Sequence, residues 1–236
     1  LGIEVKKKYE LIIFDLAGTL VDPGSIAPLI AFSRAFKDKG YDVSDSVIRK
    51  FMGTNKRDHI RLILEDIQAD VKDKTIDIER IYGSFKEHIP AAISETSRPI
   101  KGVPQVIKKL QNLGYRIAVT TGYSKQQSLL VYNAAAQLSS PHWHVPRPII
   151  CSNDVNRGRP YPYMCFRAME YYNVSSIEKC IKVGDTIADL QAAKNAGMDC
   201  VGVLSGATTK KEFEKNNFYS IRSVANWFEY FSNEVA

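Results

Sequence analysis

The chain has 236 residues, 44% hydrophobic and 25% charged, which allows a well-buried core with a second, smaller domain and excludes wholesale disorder. Its net charge of +6 is spread along the chain, with Lys6, Lys7 and Lys8 the only tight basic run, so a solvated face or steering of a small anion is expected and a nucleic-acid partner is not. No apolar run approaches the roughly 18 residues of a membrane helix, no signal-peptide pattern opens the chain, and Cys151, Cys165, Cys180 and Cys200 are spaced for neither zinc nor a disulfide scaffold.

Those exclusions predict a cytoplasmic protein with reduced thiols and no membrane partner. The chain opens on Leu1 rather than Met, so its first residues are expected to be trimmed or foreign. In chain order, Tyr9 to Leu16 is a continuous apolar run holding an aspartate, Asp15, and reads as a buried strand. A different texture follows. Ile26 to Lys37, Ser44 to Phe51, Lys56 to Ile67 and Thr75 to Ile93 all read as helices with no strand between them.

From Lys101 onward strands and helices alternate. A helix is predicted over Pro104 to Leu113, a strand over Arg116 to Thr121 and a helix from about Ser124. A strand running into a loop follows over Pro148 to Val155, with a helix over Tyr161 to Tyr172. Cys180 to Asp185 and Asp199 to Gly206 are strands flanking a helix over Ile187 to Ala196. Such alternation implies βαβ units. The expected fold class is α/β, a doubly wound, mainly parallel sheet built from residues 1–23 and 100–236. A helical cap, residues 24–99, is inserted after the first strand.

In open α/β sheets the ligand sits beyond the carboxyl ends of the strands, so the polar residues there carry the functional reading. They are Asp15, Thr121, Asp185 and, in the loop after a strand, Arg159. Asp15 could attack phosphorus as a covalent nucleophile. Asp185, with Asp189 one helical turn on, could hold a hard cation such as magnesium. Thr121 and Arg159 offer a hydroxyl and a fixed positive charge to phosphoryl oxygens, and Gly18 and Gly122 let backbone amides approach an anion. Singly, each aspartate also reads as a turn or helix cap; four such residues at strand ends, in this order, favour phosphoryl transfer.

The segments "FDLAGTLVD", "TTGY", "GRPYP" and "KVGDTIADLQAAKNAGM" resemble the haloacid dehalogenase superfamily of aspartyl-phosphate-forming hydrolases. The resemblance implies Asp15 as nucleophile, Thr121, Gly122 and Arg159 as phosphate binders, and Mg2+ as cofactor. It also implies the Asp15 and Asp185 carboxylates and the Ala17 carbonyl as magnesium ligands, with Asp189 supporting the metal site from behind. Phosphatases of that superfamily carry a second aspartate where this chain has Ala17, and use it to protonate the leaving group. Alanine cannot, and such help is typically worth roughly 10²- to 10⁴-fold.

A phosphorus–carbon bond changes the requirement, because its cleavage leaves a carbanion that needs an electron sink. A lysine forming a Schiff base with an adjacent aldehyde supplies one, so Ala17 predicts a lysine from the helical insertion. The run "KFMGTNKRDHIRLIL", with "DPGSIAPLIAF" before it, resembles the phosphonoacetaldehyde hydrolases (phosphonatases). That likeness implies Lys56 as the Schiff-base lysine, with Met52, Gly53 and His59 close to it. His59 lies three residues on, on the same helix face, and reads equally as a proton-transfer group or as a packing histidine.

The resemblance also implies a homodimer through the cap, for which Ser25 to Phe36 offers an apolar helix face; intramolecular packing is the other reading of that face. The chain departs from the family pattern at Leu16, commonly tryptophan there, at Thr54 and Asn55, commonly apolar, and in its short segment after Val203. The aldehyde substrate is therefore left open. Two rival readings stand beside it: a phosphatase acting on a phosphate ester, and a silent relative that only binds.

Overall fold

The opening apolar run becomes strand β1 (Leu11–Asp15), buried along its whole length. The computed structural model describes residues 8–69, 74–139 and 141–231; Lys6 and Lys7 lie outside the described residues. Alternate β1 side chains supply two separate cores. Ile12 and Phe14 join the larger cluster, and Leu11 and Ile13 the smaller. A strand buried on both faces belongs in the middle of a parallel sheet, and its unbroken apolar reading comes from that position.

Four helices follow β1 with no strand between them: α1 (Ile26–Asp38), α2 (Asp45–Lys50), α3 (Lys56–Asp66) and α4 (Lys74–Thr96). Asp22 starts α1, its two carboxylate oxygens accepting from the backbone N–H groups of Ile26 and Ala27 at 3.0 Å each. The apolar face of α1 packs against α4, and Ala27, Leu29, Ala31, Phe32, Ala35 and Phe36 are buried. The face on which a dimer was expected is thus covered within the chain itself.

Beyond the insertion come α5 (Val103–Asn112), β2 (Arg116–Thr121), α6 (Lys125–Gln137), β3 (Ile149–Cys151) and α7 (Tyr163–Tyr172). They are followed by β4 (Cys180–Gly184), α8 (Ile187–Ala196), β5 (Asp199–Val203), α9 (Lys210–Lys215), β6 (Ser220–Ile221) and α10 (Trp227–Tyr230). The six strands form one parallel sheet in the order β3-β2-β1-β4-β5-β6. Helices α5 and α6 contribute to the larger core with Ile12 and Phe14. Helices α7 and α8 contribute to the smaller core with Leu11 and Ile13, so the sheet is covered on both faces.

Two expected boundaries shift for local reasons, and two short elements appear that were not expected. The third strand is shorter than read, because the chain turns into a 3-10 helix at Ser152–Asp154. α7 starts at Tyr163, after Pro160 and Pro162. α9, begun by a Thr209–Glu212 capping box, and the two-residue β6 were not expected from the pattern. The strand order decides where a ligand can sit. The chain leaves β1 for β2 on one side and returns to β4 on the other, which opens a crevice at the carboxyl ends of β1 and β4.

Candidate active site

Asp15 is the last residue of β1 and Asp185 directly follows β4, so the topology alone sets two carboxylates side by side in that crevice. Asp189, in the first turn of α8, completes a buried cluster in which one carboxylate oxygen from each residue lies within 4.8 Å of the others. Like charges this close need compensation, and the chain supplies it unevenly. Asp189 accepts from Arg159 Nη1, from Lys182 Nζ at 2.7 Å and from Thr186 Oγ1 at 2.6 Å. Burial alone would raise its pKa, but Arg159 and Lys182 beside it hold the carboxyl below the usual range.

Among the described residues no cation pairs with Asp185. Its Oδ2 accepts from Ser25 Oγ and from the backbone N–H of Ala207, both at 2.8 Å, while its buried Oδ1 has no hydrogen-bond partner. Burial first, and then the charges of Asp15 and Asp189, push its pKa well up. A Cβ at Gly206 would fall 1.9 Å from Asp185 Oδ2, and one at Gly18 2.3 Å from it, so the backbone here fits only without side chains. An orphaned, buried carboxylate oxygen on a residue clustered with Asp15 and Asp189 suits a hard divalent cation, which would relieve the repulsion. The turn after β1 bonds through the Leu16 and Val21 carbonyls and leaves the carbonyl of Ala17 out of those bonds, available to the same corner.

Asp189, expected to support a metal from behind, has both oxygens engaged by Arg159, Lys182 and Thr186 and acts here as the holder of Arg159. Arg159 Nη1 also donates to Asp15 Oδ1 at 2.9 Å. Burial opposes the charge on Arg159, but Asp15 and Asp189 raise its pKa, so the guanidinium stays charged beside the nucleophile candidate. Its Nε has no hydrogen-bond partner. Thr121 ends β2 with its hydroxyl accepting from the backbone N–H of Tyr123 at 3.1 Å, and a Cβ at Gly122 would lie 3.2 Å from Arg159 Nη2.

The insertion brings the remaining residues from above. Gly53 adopts φ 87° and lies so near the core that a Cβ on it would sit 2.3 Å from Thr186 Oγ1. Asn55 caps α3 by accepting from the backbone N–H of Arg57 at 3.0 Å, and Thr54 donates to the Phe51 carbonyl at 2.8 Å. Both unexpected polar residues therefore build the turn that starts α3. Lys56 is the first residue of that helix, and its ammonium nitrogen lies 5.6, 5.9 and 5.4 Å from the ring centroids of Phe32, Phe85 and Tyr123.

No carboxylate is paired with Lys56 among the described residues. Burial, and then the charge of Arg159, lower its pKa to about 8 against the opposing pull of Asp15 and Asp185. Its place at a helix N-terminus works in the same direction, since the helix dipole disfavours a cation there. His59 is fully buried, with Nε2 2.8 Å from the Ile48 carbonyl and its ring 4.2 Å from that of Phe32. A carbonyl only accepts, so Nε2 carries the hydrogen and Nδ1 is bare; Nδ1 has no partner. Burial, with the Lys56 charge adding, lowers the His59 pKa to about 3, which keeps the ring neutral.

Asp15, Ala17, Met52, Gly53, Lys56, Thr121, Gly122, Arg159 and Asp185 all line one cavity of about 30 Å³, little more than the room of one water. Of the expected site residues, Asp189 and His59 are not brought to its wall. Ser25, Tyr123 and Thr186 line it and were not expected; Lys182 holds Asp189 from behind. Lys182 had a signal, a charged residue inside an otherwise apolar strand. Ser25 had none, because only the folded chain brings it to Asp185, 160 positions away.

The site has relatives. A family model of haloacid dehalogenase-like hydrolases matches residues 12–203. The chain is 33% identical over 227 residues to a phosphonoacetaldehyde hydrolase of Bacillus cytotoxicus, covering 91% of this chain and 84% of that one. It is 37% identical over 221 residues to a bifunctional phosphonoacetaldehyde hydrolase/aminoethylphosphonate transaminase of Clostridioides difficile, covering 88% of this chain but 34% of that longer protein. In structure it is similar to a phosphonoacetaldehyde hydrolase-like protein from Oleispira antarctica, with a TM-score of 0.83 and 28% identity over 99% of this chain and 96% of that one.

Proposed function

The chain belongs to the haloacid dehalogenase-like hydrolases, and from that membership we propose that it hydrolyses the phosphorus–carbon bond of phosphonoacetaldehyde to acetaldehyde and phosphate. The observation that carries the reading is a lysine with a lowered pKa, ringed by aromatic side chains, in the same cavity as Asp15 and Ala17. A phosphate ester would need an acid where Ala17 stands; an aldehyde one carbon removed from phosphorus needs an amine where Lys56 stands.

Neutral Lys56 adds its nitrogen lone pair to the aldehyde carbon; one amine proton and one proton from solvent pass to the former aldehyde oxygen, and its departure as water leaves an iminium. His59, on the helix that carries Lys56, is neutral and outside the cavity wall, and packs against Phe32 rather than taking a proton from the adding amine. Arg159, Thr121 and the backbone of Gly122 hold the phosphonate oxygens in front of Asp15. An Asp15 carboxylate oxygen then bonds to phosphorus as the phosphorus–carbon bond breaks, and that bond's electron pair forms the enamine while the iminium nitrogen becomes neutral. Protonation at carbon and addition of water release acetaldehyde and free Lys56. A second water releases phosphate from Asp15.

The Asp15 and Asp185 carboxylates, with the Ala17 carbonyl, would hold Mg2+, which supplies neutralisation of the charge gathering on the phosphoryl oxygens. Asp189 keeps Arg159 in place, while Met52 and Gly53 close the cavity from the insertion side. Association of two copies through the insertion belongs to the same reading and is read out by the mass of the protein in solution.

The test is acetaldehyde release from phosphonoacetaldehyde with Mg2+, by the native protein and by Lys56→Arg, together with borohydride reduction in the presence of substrate. Expected are turnover by the native protein alone and a reduced adduct on the peptide holding Lys56. Equal turnover by the two proteins, or no adduct, overturns the Schiff-base reading.

A further inference from the structure

The cavity that holds Lys56 and Asp15 has room for about one water, so the seam between insertion and core must part before any substrate enters. A much larger groove, about 640 Å³, already lies along that seam. One wall comes from the insertion, with Thr54, Asn55, Arg57 and Arg61; the other from the core segment before α7, with Arg157, Arg159 and Tyr161. Arg159 lines both spaces. It is 7% exposed, and its Nε is without a partner, so the groove leads to a buried guanidinium with one donor still free.

The four arginines of the groove are not equivalent. Arg57 pairs with Glu79, and Arg61 with Glu65 and Asp58, which cancels much of their field. Arg159 pairs with Asp15 and Asp189. Arg157 has no carboxylate partner among the described residues. Its Nη1 donates to the Tyr161 hydroxyl at 2.6 Å and its guanidinium lies 4.8 Å from that ring, contacts that fix its direction without neutralising it.

We propose that this groove is the entrance for the anionic substrate, with Arg157 the residue that captures a phosphonate or phosphate group and delivers it to Arg159. The inference rests on the proposed function for the identity of the anion. A positively charged cleft with protein walls raises the local concentration of an anion and its rate of association, an effect that salt removes. The uncompensated charge of Arg157 supplies that field at the mouth, and Arg159 supplies the next station inward.

Two readouts test it, kcat/KM for phosphonoacetaldehyde across ionic strength and calorimetric binding of inorganic phosphate to the magnesium-loaded protein. Arg157→Ala is expected to lower kcat/KM about tenfold at low salt, with the gap closing as salt rises, and to weaken phosphate binding. Arg157→Lys should recover most of both, since it keeps the charge. Lys211→Ala, which removes an equal charge outside the groove, should leave both at native values.

A salt-independent loss in Arg157→Ala, or native values for both readouts, overturns the capture role while leaving the substrate reading intact wherever turnover is seen. If the native protein shows no turnover but phosphate binding still depends on the Arg157 charge, the entrance stands and the substrate reading falls. If there is neither turnover nor a charge-dependent phosphate affinity, both fall.

Discussion

The two halves of the cavity bury charge in opposite ways. On the core side, Asp189 is wrapped by Arg159 and Lys182 and stays ionised despite complete burial. On the insertion side, Lys56 has aromatic rings about it and no paired carboxylate among the described residues, and its pKa is lowered to about 8. The same desolvation acts on both groups; paired cations offset it at Asp189, while at Lys56 no counter-charge is paired and the charge of Arg159 adds to it. Paired burial makes a rigid fixture that holds Arg159 against Asp15. Unpaired burial makes an amine with a free lone pair. Asp185 is the intermediate case, half satisfied by Ser25 and Ala207, and it marks the corner where an added cation would complete the balance.

The sharpest way to break this division is to remove one chemical step from each half. Asp15→Asn should lower phosphate release by more than about 10³-fold, the scale on which loss of a nucleophile is felt. Borohydride should still trap substrate on Lys56 in that variant, because imine formation needs only the insertion side. A trapped adduct that disappears with Asp15 would show that the two halves do not act separately.

Next in size is the fixture itself. Lys182→Met removes one partner of a buried pair and leaves Asp189 to Arg159 alone, a change expected to cost about 3–5 kcal/mol of stability. Urea denaturation measures it. The Lys56→Met variant provides the contrast, since a buried, unpaired amine contributes no stabilising pair to lose. If Lys182→Met unfolds at the native urea concentration, the pairing on the core side is not what holds this corner together.

Most of the core half was legible in the chain. Asp15, Thr121 and Asp185 stand at the ends of apolar runs, and a parallel sheet brings strand ends to one edge, so their convergence comes from pattern alone. The helical insertion was legible as four periodic segments without strands. What the pattern could not carry was anything set by contacts across long separations. Ser25 on Asp185 is one such contact, and the covering of the α1 apolar face by α4 is another. His59 shows the same limit: spacing put it on the Lys56 face, but only packing shows its Nε2 bound to Ile48 and its ring outside the cavity wall. The short α9 and β6 were missed because six and two residues carry too little periodicity to read.

The lowered Lys56 pKa makes a prediction with a definite sign. The folded amine binds a proton less tightly than the unfolded one, so between about pH 8 and 10.5 the unfolded chain holds more protons. Stability should therefore rise with pH through that window in the native protein relative to Lys56→Met. The drop from 10.5 to about 8 corresponds to on the order of 3 kcal/mol, absent above the window and fully felt as a cost below pH 8. In kinetics the same group should make kcat/KM rise with an apparent pKa near 8, as the amine loses its proton. A native-minus-variant stability that is flat from about pH 7 to 10.5 would mean that Lys56 is solvated and ordinary.

The smallest expected effect tests the join between the halves rather than either one. Gly53 holds φ 87°, where a side chain is strained, and its Cβ position is 2.3 Å from Thr186 Oγ1 on the core. Gly53→Ala should therefore favour a seam that stays parted, at a cost on the order of 1–3 kcal/mol to the closed arrangement. Because Gly53 belongs to the insertion and Thr186 caps α8 beside Asp189, the loss should fall on turnover, about tenfold at the lower end of that range, while the unfolding transition shifts little. Thr186→Ala removes both the hydroxyl oxygen and the methyl carbon that crowd that position, along with the cap of α8 and a bond to Asp189, so the comparison is made within that background. Gly53→Ala should cost less rate in Thr186→Ala than in the native protein if the clash is the cause. An equal cost in both backgrounds would place the Gly53 requirement in its backbone angle and not in contact with the core.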